Sequence, residues 1–443
     1  MDTGRSRARP SAGRRPRAAA LAAIRRVVEG SAYSNLVVPA ELDRAGLSGR
    51  DRAFASDLAY GTIRRLIPID AALGLASNRS LDDVDPEALA LLRLGAYQLL
   101  FSRVPAHAAV SETVALAGPR HRGFVNAVLR HVRPASSPGD TDAAISLRTG
   151  LAEWAVAELR RLLPSQVESA AAALASPAQA TLRVNTCRTD RDSLRTEIER
   201  RGHPVEAGRF HPDVLRAPGA MPAGIPGYRE GLFGVQDEAS VLVGAAVQAG
   251  PGERILDACA GPGGKAAHLA CQVSSGGLVV AADVHLRRAG LVRSTAVRLG
   301  VGMRIVVQDA RRPALRGGFD AILVDAPCSG LGAARRRPEL LWRQSKTDLA
   351  RLARLQVAIL AGAAPLVRPG GRLVYSVCTF PRAETDAAVR AFVNRCPEFE
   401  LAGVPGADGM APVHRLWPHR HDTDAMFYAG FVRRSGRTGD TDR

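Results

Sequence analysis

Three side chains able to do covalent chemistry follow two apolar runs in the C-terminal half of the chain. The run FDAILVD, at 319–325, ends on Asp325 with Cys328 just beyond it, and the run GRLVYSV leads directly to Cys378. A cysteine thiolate is a nucleophile that can form a covalent intermediate, and a carboxyl group beside it can polarise a substrate through hydrogen bonds. The alternative is that both cysteines are small apolar core residues.

A glycine-rich turn lies upstream of these residues, within ILDACAGPGGKAAHLA at 255–270. An apolar run precedes it and a stretch of helix-forming composition follows, which predicts strand, tight turn and helix. Backbone amides at such a helix start can face an anionic or polar ligand group, although a plain turn without a ligand has the same composition. The candidate binding residues are Cys259, Ala260, Gly261, Pro262, Gly263, Gly264 and Lys265.

Two further carboxylates end the apolar runs that come next. LVVAAD ends on Asp283, nineteen residues beyond Gly264, and RIVVQD ends on Asp309. In an open α/β sheet, a carboxylate at the position of Asp283 holds the ribose of a nucleotide-like ligand.

The elements that must position these residues alternate along the chain. Helical stretches at 287–299 and 347–366 separate the strand-like runs, so the pattern is βαβα and predicts a parallel, Rossmann-like sheet. Because the carboxyl ends of parallel strands meet at one edge, we expect the cysteines, the carboxylates and the turn to lie together there.

Three segments, DACAGPGGK, DAPCSG and YSVCT, resemble the signatures of the S-adenosylmethionine-dependent RNA cytosine-5 methyltransferases. The resemblance is to the subfamily of the bacterial ribosomal enzymes called RsmB, Sun or Fmu. It implies a class I methyltransferase domain with S-adenosylmethionine held by the 259–265 turn. It also places Asp283 on the cofactor's ribose, Asp309 near its adenine, and Asp325 at both the cofactor and the target base.

The same resemblance assigns Cys378 as the nucleophile and Cys328 as the residue that assists product release. Cytosine C5 is a weak nucleophile, so a thiolate first adds to C6 and turns the ring into an enamine. Val377 and Thr379 flank Cys378 where Thr and Ser are usual. DNA cytosine-5 methyltransferases use a Pro-Cys cysteine as nucleophile, so the residues leave the reversed assignment open.

The N-terminal part divides by composition. We expect a disordered basic tail at 1–17, an all-α domain at 18–135, a small α/β RNA-binding subdomain at 145–228 and the methyltransferase domain at 229–436. GTIRR, LRLGAYQLL and GFVNAVLR make the second segment similar to the NusB-like RNA-binding domain. Its candidate phosphate contacts are Arg64, Arg65, Arg122 and Arg130. ARRRPELLWR, at 334–343, is expected to grip the RNA backbone beside the site.

Composition bounds the partners. The formal charge of +17 indicates a polyanion, most simply RNA, and the resemblance implies 16S rRNA. No CxxC spacing indicates zinc or a disulfide framework, so Cys187, Cys271 and Cys396 are interpreted as core thiols. The residues His414, His419 and His421 fit no common metal spacing.

No stretch reaches the ~18 continuous apolar residues of a membrane span. We therefore expect a cytoplasmic monomer that binds no metal and no membrane. A tRNA cytosine-5 methyltransferase and a non-catalytic NusB-like ribosome-assembly factor are the alternative functions. The intact Asp325, Cys328 and Cys378 favour an enzyme over the assembly factor.

Overall fold

The structure is a computed structural model and describes residues 13–30, 32–274 and 276–435. The chain divides into two compact units. The first consists of Met1–Ser176 with Ala334–Gln344, and the second consists of Pro177–Ala333 with Ser345–Arg443.

The first unit is helical throughout its described residues. Its helices are α1 (Arg14–Val28), α2 (Ser34–Arg44), α3 (Gly49–Arg64), α4 (Leu66–Ala76), α5 (Pro86–Phe101), α6 (Ala106–Leu116), α7 (Pro119–His131), α8 (Asp142–Thr149), α9 (Glu153–Leu162) and α10 (Val167–Leu174). One apolar cluster fills the unit, with Ile24, Leu58 and Leu91 fully buried. The all-α prediction for this part of the chain is therefore confirmed.

The structure differs from the expected boundary of the N-terminal tail. Residues 1–12 of the expected tail lie outside the described residues, but α1 already begins at Arg14. Arg17 is buried, and its Nε donates a hydrogen bond to Gln98 Oε1 at 2.8 Å. This partner lies on α5, so the composition of residues 1–17 alone could not predict the burial. The subdomain expected at 145–228 stays a prediction: α8 to α10 pack with the helical unit, and residues 177–228 lie in the second unit.

The second unit begins with a small antiparallel sheet. Its elements are β1 (Ala180–Val184), α11 (Arg191–Arg200), β2 (Glu206–Ala207), β3 (Val214–Ala217), β4 (Phe233–Val235) and α12 (Glu238–Ala246). The strand order is β2-β3-β1-β4. Leu182, Leu194 and Phe233 are buried in the cluster that this sheet forms with α11.

A larger, mostly parallel sheet follows. The elements are β5 (Arg254–Asp257), α13 (Gly264–Val273), β6 (Leu278–Asp283), α14 (Leu286–Leu299), β7 (Arg304–Val307), β8 (Phe319–Asp325), α15 (Leu340–Arg343), α16 (Lys346–Ala363), β9 (Val367–Val377), α17 (Asp386–Arg395), β10 (Phe399–Leu401), β11 (Val404–Gly406), β12 (Gly409–Ala411), β13 (Val413–Leu416), α18 (Pro418–His421) and β14 (Met426–Arg433). The element α15 belongs to the first unit.

The sheet order is β10-β14-β9-β8-β5-β6-β7, with β13 also paired to β14. Strands β5 to β9 pair in parallel, and β14 runs antiparallel to β9. Chain order reverses beside β5, whose neighbours are β6 and β8, and ligands of such sheets bind at the carboxyl ends next to this switch point. The Rossmann-like prediction is confirmed, and the topology brings the ends of β5, β8 and β9 side by side.

Helix α16 and the turn after it, Lys346–Leu366, form the one described segment long and apolar enough to cross a membrane by length and composition. Its buried residues include Leu349, Leu352 and Gln356, and Gln356 Nε2 donates a hydrogen bond to the Pro327 carbonyl at 3.0 Å. These contacts are those of a helix packed on an α/β sheet.

Candidate active site

The two cysteines lie against one another at the carboxyl ends of adjacent strands. Cys328 follows β8 and Cys378 follows β9, and their Sγ atoms are 3.4 Å apart. The hydrogen bond to the Cys378 sulfur, together with burial, raises the pKa of the Cys328 thiol well above its usual value. Cys328 therefore keeps its proton, and either sulfur can be the donor in the contact between the two cysteines.

Asp325 lies beside this pair and is held from two directions. Lys265 Nζ donates to its Oδ2 at 2.8 Å, and Ser376 Oγ donates to its Oδ1 at 2.7 Å. Burial works against the charge on Lys265, but the Asp325 carboxylate outweighs burial and raises the pKa of Lys265. The ammonium is also attracted electrostatically to a Cys378 thiolate. Lys265, Asp325 and Cys378 thus form one charged group.

Asp257, the last residue of β5, is buried beneath Lys265 and Asp325. Its Oδ1 accepts a hydrogen bond from the Cys259 amide at 3.4 Å, and no described residue donates to its Oδ2. Burial, followed by the nearby Asp325 carboxylate, raises the pKa of Asp257 to about 7. A buried carboxylate oxygen without a partner at the switch point is a position where a bound cation or hydrogen-bond donor would lower the free energy.

The glycine-rich turn is shaped for close approach. Gly263 has φ +106° and caps α13, a conformation in which a side chain is strained. A Cβ on Gly261 would lie 2.6 Å from Asp283 Oδ2, so the turn and that carboxylate pack without room for a side chain. The start of α13 presents backbone amides to a polar ligand group, and the unpaired Asp257 oxygen can accept from a cationic one. Together they fit the methionine end of S-adenosylmethionine, which is polar and carries a cation.

The two ribose and adenine candidates differ in their surroundings. Asp283 is buried; its Oδ2 accepts from the Gly261 amide at 3.1 Å and lies 3.1 Å from Arg288 Nε. Asp309 is bound instead by its neighbour Arg311, whose guanidinium approaches to 2.6 Å. The hydrogen bonds from that guanidinium lower the pKa of Asp309. Asp283 therefore touches the turn directly, whereas the contacts of Asp309 are to Arg311.

A buried network below the cysteines was not identified from the sequence. Glu384 Oε1 accepts from the Ser329 amide and from Gln356 Nε2, both at 2.9 Å, and its Oε2 accepts from Ser329 Oγ at 2.5 Å. Ser329 Oγ is also 2.7 Å from Thr379 Oγ1. Glu384 thereby joins the loop that carries Cys328 to the residue after Cys378. The one feature of the sequence that could have identified Glu384 is its position six residues beyond Cys378.

The four arginines proposed as phosphate contacts are not alike. Arg64 is buried and donates to the Arg335 carbonyl at 3.2 Å, and burial lowers its pKa to about 10, so its prediction as a surface contact was wrong. Arg65 donates to the Arg148 carbonyl. Arg122 and Arg130 are exposed and line a cavity of about 1330 Å³ in the helical unit.

The segment expected to grip RNA, 334–343, belongs to the helical unit. Arg343 Nη2 donates to the carbonyls of Val27 and Ala32, at 2.6 and 3.0 Å, and Trp342 Nε1 donates to the Ile63 carbonyl at 2.8 Å. Arg335 is 7% exposed. The expectation was wrong for Arg335, which is buried; Arg343 is half-buried, and its guanidinium is bound to backbone carbonyls of the helical unit.

Two other cysteines were also misinterpreted. Cys187, after β1, and Cys271, on α13, are joined as a disulfide with their Cα atoms 5.5 Å apart. They are 84 residues apart in sequence, so no local spacing could have predicted the pair. Cys396 is a buried free thiol, as expected.

Two of the histidines at the C-terminal end, His414 and His421, pack against neighbouring protein groups. His414 is buried, with its Nε2 2.8 Å from the Val404 carbonyl, and stacks on Tyr428 with ring centroids 4.8 Å apart. His421 Nδ1 accepts from the Trp417 amide at 2.9 Å.

Three family models match consecutive parts of the chain. The model described as 16S rRNA methyltransferase RsmB/F matches residues 245–432. The NusB family model matches 14–134, and the model of a ferredoxin-like domain of RsmF/B-like methyltransferases matches 151–223.

Proteins of known sequence and structure agree with this assignment. The probable ribosomal RNA small subunit methyltransferase B of Bacillus subtilis is 36% identical over 86% of this chain and 88% of its own length. A putative methyltransferase of Mycobacterium tuberculosis is 38% identical over 94% of this chain and 96% of its own length.

Among solved structures, the protein PH0851 superposes with a TM-score of 0.84 at 25% identity, covering 94% of this chain and 98% of its own. The length and identity of these matches, together with the three family models in their order along the chain, show that the chain belongs to the RsmB/F family of 16S ribosomal RNA methyltransferases.

Proposed function

We propose that this protein methylates C5 of a specific cytosine in 16S rRNA through a covalent bond between Cys378 and C6 of the base. The observation that carries the proposal is the 3.4 Å contact between two thiols beside the Lys265–Asp325 pair. S-adenosylmethionine is the cofactor and supplies the electrophilic methyl group when bound. Core packing does not require two cysteines in contact. The reaction does require two groups, a sulfur that adds to C6 of the base and a second group that assists the departure of that sulfur.

Addition comes first in this mechanism. The Cys378 thiolate forms a bond to C6, and the π electron pair of the C5–C6 bond moves to C5, which makes C5 the nucleophile. Lys265 favours the thiolate through its charge. Each oxygen of Asp325 accepts one hydrogen bond from the protein and retains a lone pair for the 4-amino hydrogens of cytosine. Asp325 thus orients the base for attack by Cys378.

Elimination completes the reaction. Once C5 carries the methyl group, a base takes the C5 proton, the C6–sulfur bond breaks, and its electron pair returns to Cys378. Cys328 keeps its proton and lies in contact with the departing sulfur, so its thiol can donate a hydrogen bond to the Cys378 thiolate as the C6–sulfur bond breaks. We assign Cys328 to this step.

Asp283 is the ribose ligand and Asp309 the adenine-side residue in this proposal, with the 259–265 turn around the methionine end.

RNA binding by the helical unit belongs to the same proposal. The cavity between α6 and α7 has Arg122, Arg130 and Arg133 on its rim, with no carboxylate among its lining residues, and His107 beside them. Such a surface attracts phosphates. We further propose that the protein acts in the cytoplasm as a monomer.

The decisive experiment separates the two cysteines. Cys378→Ala should give neither methylation nor a covalent complex, because the ring is never activated. Cys328→Ala should accumulate a protein–RNA adduct that survives denaturing electrophoresis with a 16S rRNA fragment and cofactor. Adducts in Cys378→Ala but not in Cys328→Ala reverse the assignment.

The substrate is tested separately. Bisulfite sequencing of rRNA and tRNA from a deletion strain should show one lost 5-methylcytosine in 16S rRNA. A loss confined to tRNA assigns the tRNA alternative. No loss in either RNA, with a ribosome-assembly defect that Cys378→Ala rescues, assigns the non-catalytic assembly factor.

A further inference from the structure

A cavity of about 330 Å³ lies within the second unit, away from the cysteines. Strand β4, helix α14 and the far side of the glycine-rich turn contribute its walls. Its lining includes Arg183, Arg298, Tyr228, Thr295 and Pro262. It shares Pro262 and Gly264 with the turn proposed to hold the cofactor, whereas none of the residues proposed to touch the cytosine lines it.

Arg183 carries a buried charge without an ion pair. The residue is 1% exposed, its Nε donates to Gln236 Oε1 at 3.1 Å, and its Nη1 donates to the Val184 carbonyl at 3.4 Å. Among the described residues, none accepts from Nη2 and no carboxylate lies within ion-pair distance. Burial lowers the pKa of Arg183 to about 10, and the more distant Asp213 only partly offsets this. Burying a guanidinium is costly unless an anion compensates it.

Arg298 adds a second cation to the same cavity. Its Nη1 donates to the carbonyls of Tyr228 and Phe233, both at 2.9 Å, and its guanidinium lies 4.3 Å from the centre of the Tyr228 ring. These contacts fix the side chain but neutralise nothing. The charge of Arg298 also works against the charge of Arg183. Two fixed guanidiniums that repel one another are stabilised together by one shared anion.

We propose that this cavity is a binding site for a phosphate group, held by Arg183 and Arg298. The planar guanidinium forks match phosphate oxygens, and no carboxylate among the lining residues competes with the ligand. Thr295 lies on the same wall, but its hydroxyl already donates to the Pro262 carbonyl at 2.9 Å, so the charge recognition comes from the arginines.

The phosphate has two chemical sources. One is a phosphodiester of the RNA substrate, and this source rests on the proposed function. The other is a free phosphate or pyrophosphate group in solution, which does not. Both present the same tetrahedral anion to the arginines, so the experiment has one arm for each.

The first arm is calorimetric titration of the full chain with inorganic pyrophosphate in chloride buffer. We expect one site, weakened at least tenfold by Arg298→Gln and by Arg183→Gln. Arg293→Gln is the matched control, because Arg293 is exposed on the same helix and does not line the cavity. Unchanged S-adenosylhomocysteine affinity verifies that each variant is folded.

The second arm is the salt dependence of binding to a 16S rRNA fragment. Loss of one phosphate contact should reduce the slope of log K against log salt by about 0.7 to 1 in Arg298→Gln, and not in Arg293→Gln. A reduced slope assigns the site to the RNA backbone. Pyrophosphate binding that is lost without a change of slope assigns it to a free phosphate.

Absence of pyrophosphate binding to the unmodified protein, together with an unchanged slope in Arg298→Gln, overturns the proposal. Neither arm measures methylation or the covalent adduct. Failure of the phosphate site is therefore distinguishable from failure of the proposed function, which the cysteine variants test.

Discussion

Two neighbouring parts of the chain carry the residues first selected for chemistry, and they differ in what positions them. Asp325 and Cys328 end strand β8, whereas the arginines of 334–343 begin only a few residues later. The strand fixes the first group at a sheet edge that any parallel α/β domain uses for ligands. The partners of the second group, including the carbonyls of Val27 and Ala32, are some 300 residues away in sequence. Residue type indicates chemistry reliably only where the fold also fixes position.

The largest effect that would sharpen this comparison is expected at the sheet edge. Lys265→Met removes the ion-pair partner of Asp325 and the charge that attracts a Cys378 thiolate. Loss of one such preorganised group slows the chemical step by about 100-fold or more. The measurement is the single-turnover methylation rate at saturating S-adenosylmethionine.

Lys346→Met is the matched control, because Lys346 is the other lysine of the chain and is exposed at the start of α16. A methylation rate for Lys265→Met within threefold of that control would remove Lys265 from the reacting group.

The next effect concerns the network that connects the two cysteine loops. Glu384→Ala removes the buried acceptor of three hydrogen bonds, which come from the amide and hydroxyl of Ser329 and from one N–H of the Gln356 amide. The free energy of unfolding should fall by about 2 to 4 kcal/mol. Urea denaturation followed by fluorescence measures it.

Glu400→Ala provides the comparison, since Glu400 makes an exposed ion pair with Arg434 at 3.1 Å, and such pairs contribute at most about 1 kcal/mol. Equal destabilisation by the two variants contradicts a stabilising role for the buried hydrogen bonds of Glu384.

A smaller effect tests the other side of the comparison. Arg343→Met removes two hydrogen bonds to backbone carbonyls in the helical unit, so its free energy of unfolding should fall by about 2 kcal/mol. The salt dependence of RNA binding should stay the same, because this guanidinium is bound to protein.

Arg50→Met, at an exposed position of α3, is the control for stability. A reduced salt slope in Arg343→Met, with unchanged stability, would restore the original expectation that this segment grips RNA.

The sequence was sufficient to predict the sheet and the positions of the candidate residues at its edge, because those inferences need only local patterns. Alternating apolar runs gave the parallel strands, and polar residues at their ends gave Asp325, Cys328 and Cys378. Glu384, the Cys187–Cys271 disulfide and the buried Arg183 were missed for a common reason. Their partners lie on other elements, and nothing in the local composition distinguishes a buried arginine or an approaching cysteine from a surface one.

Asp257 should produce an effect of a different kind, a pH dependence of stability. Its pKa of about 7 in the folded protein exceeds the value of about 3.9 expected for an unfolded chain, so the folded state holds the proton more tightly. The stabilisation from that proton is fully present below about pH 4 and is lost as pH rises through 7. Asp257→Asn cannot ionise and should abolish this part of the pH dependence, about 1 kcal/mol per pH unit. Urea midpoints of the cofactor-free protein between pH 4.5 and 7.5 measure the difference, with exposed Asp192→Asn as the control. Parallel profiles for Asp257→Asn and the unmodified protein would contradict the raised pKa. They would mean that Asp257 is already ionised at low pH, with its charge stabilised by Lys265, and that Lys265, Asp325 and Asp257 are buried together as charged groups.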